Sequence, residues 1–396
     1  MLLLVFGFLL VVIVLAIVNK ARRARVAVGG AHRDEGLARL RAHDSGFDPA
    51  AFEARGKQIF QKVNDAWIGG QMATARRLVS DGVYVRFQTQ LAMLRAQGLK
   101  NAMTDFRVVS TTLLAAEADE AWDTVHLKLV GEARDADVPL SATAQQQQQT
   151  VRAARLSQYD EVWSFVRRRG KQSKNGVPAL SGRCPSCGAD MPLSAAVRCE
   201  FCRAVVNSGE HDWVLAEITQ PEEWRPRATV DEVEGLAELR RRDPSVSRQE
   251  LEDRASVVFW KWAEARATGR RTKLDRFCLL PGRPEVVAAP LSRVAVGSAE
   301  VTRVRTAEEG SDGYDRVQIE LAFSAVVGRG DARGAILRLT LARAAGALSK
   351  RGLSSLDCPH CGGALAESDD VKCGYCGETL TGGKYEWALE EVSEAA

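Results

Sequence analysis

The sequence predicts an α+β protein built from two related units, with antiparallel sheets and a four-cysteine metal module in each. Three observations predict it. The pattern C-x2-C-x11-C-x2-C occurs at Cys184, Cys187, Cys199 and Cys202, and again at Cys358, Cys361, Cys373 and Cys376. Each set is followed at one common distance by a tryptophan, Trp213 or Trp387. Next, GLARLRAHDSGFDPAAFEARGKQIF from Gly36 returns as GLAELRRRDPSVSRQELEDRASVVF from Gly235. A repeat this long means duplicated domains rather than a solenoid. Last, helical periodicity precedes strand alternation in both copies, the order of an α+β domain.

The chain has 396 residues and opens with MLLLVFGFLLVVIVLAIV, which carries no charged side chain. At ~1.5 Å per residue a helix of that length nearly crosses a bilayer core. Positive charge follows the run rather than preceding it, and no A-x-A site lies close behind. The pattern therefore fits a retained anchor better than a cleaved signal. Residues 1–19 are expected to form one transmembrane helix and 20–45 a basic juxtamembrane linker. Lys20, Arg22, Arg23 and Arg25 would face anionic headgroups. The positive-inside rule leaves the N-terminus outside and the rest in the cytoplasm, at the inner membrane of a bacterium.

The first domain is expected over 46–218. Asp48 can cap a helix with Pro49 at its first position. Phe52, Ile59, Phe60, Val63, Ala66 and Trp67 then recur every three to four residues. Met72 to Ser80 reads as a short helix, and Val83, Tyr84, Phe87, Leu91 and Leu94 stripe a third. Strands follow at FRVVSTTLLAAEA, AWDTVHLKLVGEA, YDEVWSFVRRR and HDWVLAEI. The five glutamines at 145–149 read as a flexible loop between strands. After a linker over 219–244, the second domain occupies 245–396. Ser247 and Glu250 are spaced as a capping box. Its strands are AEVTRVRTA, YDRVQIELAFSAV, AILRLTLAR and YEWALEEV, and no third helix is evident.

Each metal module, 182–206 and 356–380, falls between the third and fourth strands. Four thiolates at this spacing suit tetrahedral zinc and close its coordination, so two structural Zn2+ ions are expected. Redox chemistry at the CxxC pairs is the competing reading. His360 lies inside a knuckle as a bystander. The first module carries Arg183, Arg198 and Arg203, the second Asp357, Asp369 and Asp370, and the net charge is +3. No shared basic surface favours nucleic acid. Cys278, outside both sets, is expected to be buried and inert.

The run FDPAAFEARGKQIFQKVNDAWIGGQMATARRLVSDGVYVRFQTQLAMLRAQGL, then EVWSFVRR and WVLAEI, resembles the Tim44-like domain. Gly98-Leu99, Trp163, Phe165, Arg167, Trp213 and Leu215 occupy that family's motif positions. In the second copy Arg266 replaces Trp67, and Leu337 and Leu339 stand where W-x-F is expected. The resemblance implies an NTF2-like or cystatin-like fold around an apolar pocket, membrane association, and links to lipid binding and protein translocation.

The expected function is non-enzymatic: a membrane-anchored binding or scaffold protein for lipid or an apolar protein segment. Trp67, Phe87, Trp122 and Trp163 are the candidate pocket residues. His126 falls on the strand face opposite Val125, Leu127 and Leu129, toward solvent or a groove. The alternative is a zinc-ribbon adaptor that recruits a protein or nucleic-acid partner to the membrane. The sequence leaves the oligomeric state and the packing of the two units open.

Overall fold

The computed structural model describes residues 33–173, 178, 180–191, 196–221, 224, 233–284, 286, 290–308, 311–328, 331–350, 352–353, 356–365 and 369–394. The expected anchor and its basic residues Lys20, Arg22, Arg23 and Arg25 lie outside these. Among the described residues no helix is long and apolar enough to cross a membrane.

The first unit opens with a helix over 33–43 (α1), which buries Leu37 and Leu40. This part of the expected linker therefore belongs to the fold. Helix α2 (Pro49–Ile68) starts as the sequence implies, with the Asp48 carboxylate accepting from the Ala50 N–H at 2.9 Å. A 3-10 segment, Met72–Leu78, leads to α3 (Asp81–Ala96), capped by Ser80. Strands β1 (Leu99–Ala118), β2 (Trp122–Pro139), β3 (Leu156–Arg168) and β4 (Val214–Thr219) form an antiparallel meander in that order. Three register shifts in β1 increase its bend over α2.

The glutamine run is not a loop. It forms α4 (Ala144–Ala153), closed by a complete Thr143–Gln146 capping box, and Val151 packs against Ala102 and Val138. A capped run of good helix formers with one apolar residue to bury has a stable alternative to disorder.

The second unit repeats the plan. Helix α5 (Leu236–Arg242), inside the expected linker, buries Leu236 and Leu239 as α1 buries Leu37 and Leu40. Helix α6 (Arg248–Thr268) has the expected Ser247–Glu250 capping box. A single turn, α7 (Thr272–Asp275), precedes β5 (Leu291–Arg305), β6 (Tyr314–Val327), β7 (Arg333–Ala344) and β8 (Ala388–Glu394). Pairing register corrects one alignment. Trp163 and Phe165 face Leu127 and Leu215, whereas Leu339 and Leu341 face Ile319 and Leu389. The counterparts of Trp163 and Phe165 are thus Leu339 and Leu341, two residues beyond the pair expected from the strand sequence.

The two units share one apolar core, with α3 packed against α6. Thr89 Oγ1 lies 3.3 Å from the Trp260 carbonyl oxygen, and the Arg86 guanidinium lies 5.7 Å from the Trp260 ring centre. The other face of the first sheet is covered as well. Trp122, Val166, Val214 and Ala216 form a separate cluster with Leu353 of the second unit.

Candidate metal centres and binding surfaces

Both cysteine sets converge. Within each, the four sulfurs all lie within 4.8 Å of one another. Cys184–Cys202 and Cys187–Cys199 are 3.7 and 3.8 Å apart, and Cys358–Cys376 and Cys361–Cys373 are 3.9 and 3.7 Å apart. Sulfurs at the corners of a tetrahedron with metal–sulfur bonds of ~2.3 Å are separated by ~3.8 Å. The donor set therefore suits a four-coordinate metal ion.

The knuckles that aim these sulfurs share one backbone form. The N–H groups of Gly188, Arg203, Gly362 and Gly377 donate to the carbonyls of Cys184, Cys199, Cys358 and Cys373 at 2.8–2.9 Å. All four residues have left-handed φ between 63° and 77°, a conformation glycine adopts freely and Arg203 adopts at a cost. In the second module the N–H groups of Cys361 and Tyr375 point at the Cys358 and Cys373 sulfurs at 3.5 and 3.4 Å. Such contacts favour thiolate over thiol.

One arginine on each unit grips its module. Arg77 donates to the carbonyls of Met191 and Ala196 at 3.0 and 2.9 Å, and Arg276 donates to that of Leu365 at 2.6 Å. Burial pushes the Arg276 guanidinium down to about 10. The modules also meet each other across the units. Arg198 pairs with Asp357 at 3.1 Å, and the Leu353 N–H donates to Ser208 at 2.9 Å. The Leu356 N–H donates to the Asp81 carboxylate at 2.7 Å, a group that Asn207 also contacts at 3.0 Å. Sequence reasoning missed these anchors, although Arg77 and Arg276 occupy matching places in the repeat.

The four candidate pocket residues do not come together. Trp163 is 1% exposed and meets Phe60 at 4.9 Å in the main core. Trp122, also 1% exposed, faces the other side of the sheet, where its indole N–H donates to Ser247 at 2.9 Å. Strand alternation forbids the two from sharing a cavity. Trp67 and Phe87 do touch, with ring centres 5.8 Å apart and both half-buried beside exposed Ile68.

His126 is 7% exposed and so does not open to solvent. Its Nδ1 lies 2.8 Å from Ser164 Oγ and 3.4 Å from Trp224 Nε1, while Nε2 is 3.3 Å from the Glu117 carboxylate. Trp224, from the segment joining the units, lies across it. Cys278 is fully buried just after α7, and burial pushes its thiol up to about 12. It occupies the place of Val79, and each forms a parallel bridge to the last strand of its unit, Val79 to Leu215 and Cys278 to Leu389.

With helices α1–α3 laid over a bent meander, and Trp163, Phe165 and Arg167 on its third strand, the architecture can be compared with known families. Residues 33–176 match the Tim44-like domain. The Tim44-like match runs from α1 through β3 and stops before the first metal module. No curated protein matches the sequence. Among solved structures, an "Ntf2 like protein involved in plasmid conjugation" covers 82% of this chain and 93% of its own, at 12% identity and a TM-score of 0.18.

Proposed function

We propose that the protein is a non-enzymatic binding or scaffold protein of the membrane surface, in which two Tim44-like units are stiffened by structural zinc. The observation that carries this reading is the Tim44-like match over 33–176, together with four-thiolate sets whose spacing suits zinc and closes its coordination sphere. A closed sphere gives the metal a structural role and leaves no site for a catalytic water. The half-buried Trp67–Phe87 pair, beside Ile68 at 40% exposure, supplies an apolar lip for an acyl chain or an apolar peptide.

The adaptor reading is favoured by a different observation. Phe201 and Tyr375 occupy the same knuckle position in the two modules and are 73% and 71% exposed. Aromatic side chains held at that exposure on rigid loops are suited to contacts with a protein partner.

Native mass spectrometry of the full chain, released from detergent, tests the first reading. Co-purifying phospholipid that is lost in Trp67→Ala/Phe87→Ala supports it. A lipid-free mass, with no flotation on anionic vesicles, overturns it. Retention of a protein partner that depends on Phe201 and Tyr375 would establish the adaptor instead.

A further inference from the structure

Among the described residues, the second unit has a cleft at a place that aromatic side chains fill in the first. In the first, Trp213 is covered by Phe47 and Phe52, with ring centres 6.0 and 5.0 Å away. In the repeat these positions are Val246 and Leu251. The smaller side chains leave a cleft of about 400 Å³ over Trp387, within the range of small-molecule sites. Its far wall is the contact between the two metal modules, Arg198 and Asp357.

The lining has a consistent chemistry. Trp387 Nε1 and Arg343 Nε are buried without a hydrogen-bond acceptor among the described residues, as Trp213 Nε1 and Arg167 Nε are in the first unit, so these donors belong to the shared fold and not to the cleft. Arg254 and Arg343 border the cleft from within, each paired to an acid, Glu386 and Asp243. Lys350 lies at the mouth and has no acidic partner among the described residues. His360 and Tyr385, with rings 5.7 Å apart and tilted by 45°, supply an aromatic wall. Burial raises the pKa of Glu250, which also lines the cleft, to about 8 against the pull of Arg168.

We propose that this cleft binds a small molecule bearing one oxyanion, a phosphate monoester or a carboxylate, on a flat apolar body. The oxyanion meets Lys350 beside the guanidinium groups of Arg198, Arg254 and Arg343, and the body lies between Leu251 and the Tyr385–His360 wall. The same group can come from a soluble metabolite or from a lipid headgroup.

Phenyl phosphate, titrated calorimetrically into the metal-loaded full chain, is the probe, with inorganic phosphate for comparison. One site is expected, with phenyl phosphate bound about tenfold tighter than inorganic phosphate because of its apolar body. The indole N–H resonance of Trp387, assigned by its loss in Trp387→Phe, should shift on binding. Lys350→Glu should weaken binding by about tenfold or more. Leu251→Phe, which restores the side chain of the first unit, should abolish binding while leaving the thermal midpoint within a few degrees. Competition between phenyl phosphate and phosphatidylglycerol vesicles assigns the site to headgroups, and its absence assigns it to soluble ligands. No saturable heat up to ~10 mM probe, or equal binding by Lys350→Glu and Leu251→Phe, overturns the proposal.

Discussion

Arg167 donates to Asp44 at 2.8 Å across most of the first unit, and Arg343 repeats the bond to Asp243 at 2.9 Å. All four side chains are 3% exposed or less. Each guanidinium also stacks on the tryptophan after its metal module, 4.3 Å from Trp213 or 4.5 Å from Trp387. The Asp carboxylates accept further bonds from the N–H groups of Ser173 and Ser349. The same three residues thus join the α1–α2 or α5–α6 corner, the third strand and the fourth strand in both units.

Breaking this clamp should be severe. Arg167→Leu leaves Asp44 buried without its partner, and such losses cost about 3–5 kcal/mol. Arg343→Leu should cost a similar amount. Chemical denaturation of each variant measures it, and a loss below about 1 kcal/mol would show the pair to be a bystander.

Metal content gives a second prediction. Elemental analysis of the full chain should give two zinc ions, and Cys184→Ser should reduce this to one. Chelation should lower the thermal midpoint and loosen both modules, because Arg77 and Arg276 hold loops that the metal shapes. A chelated protein of unchanged midpoint and protease resistance would deny the metal its structural role.

Glu250 sets a pH dependence. Its folded pKa, raised by burial to about 8 from an ordinary 4.5, lies above the unfolded value. The folded state therefore holds this proton more tightly, and stability falls as pH rises from ~4.5 toward ~8. Glu250→Gln keeps a capping side chain without the charge. It should flatten the pH dependence and gain most over the parent chain above pH ~8. Parallel slopes for the two proteins between those limits would show that Glu250 is ionised throughout.

Two glycines are required by close approach. A Cβ on Gly36 would collide with the Ala116 carbonyl, and one on Gly235 with the Val304 carbonyl. Gly235 also has φ 82°. Alanine at either position should cost about 1–3 kcal/mol, read from the denaturation midpoint. Gly374→Ala, with open space around it, serves as the neutral control.

Thiol counting separates Cys278 from the others. After chelation the eight module thiols should react rapidly with a disulfide reagent. Cys278, buried and with its thiol pushed up to about 12, should react only on unfolding. Nine fast thiols in the folded chelated protein would contradict the burial.

Much of this fold was legible because the signals were local. Asp48-Pro49 and Ser247–Glu250 marked helix starts, alternation marked the strands, and cysteine spacing marked the modules. The outer face of the first sheet was not legible. Thr124, His126 and Ser164 alternate with the core residues and are polar enough to look solvent-facing. Alternation says which residues share a face, not what covers it, and His126 and Ser164 lie buried at the junction with the second unit. The candidate pocket failed for a related reason. Trp122 and Trp163 were grouped by size, although their parity on adjacent strands sends them to opposite faces. Charge anchors such as Arg77 and Arg276 look like ordinary surface arginines until the loops they hold are placed beside them.

The bond between Asp81 and the Leu356 N–H has a consequence for how the molecule is made. Asp81 leaves the ribosome long before Leu356 does, and both Asp81 and the Arg198 that waits for Asp357 belong to the half synthesised first. That half emerges with α3 uncovered until α6 follows, and the outer sheet face around Trp122 lacks Leu353 until the C-terminal part arrives. Nascent chains stalled before residue 350 should therefore remain protease-sensitive and chaperone-bound, and the N-terminal half expressed as a fragment should aggregate rather than fold alone.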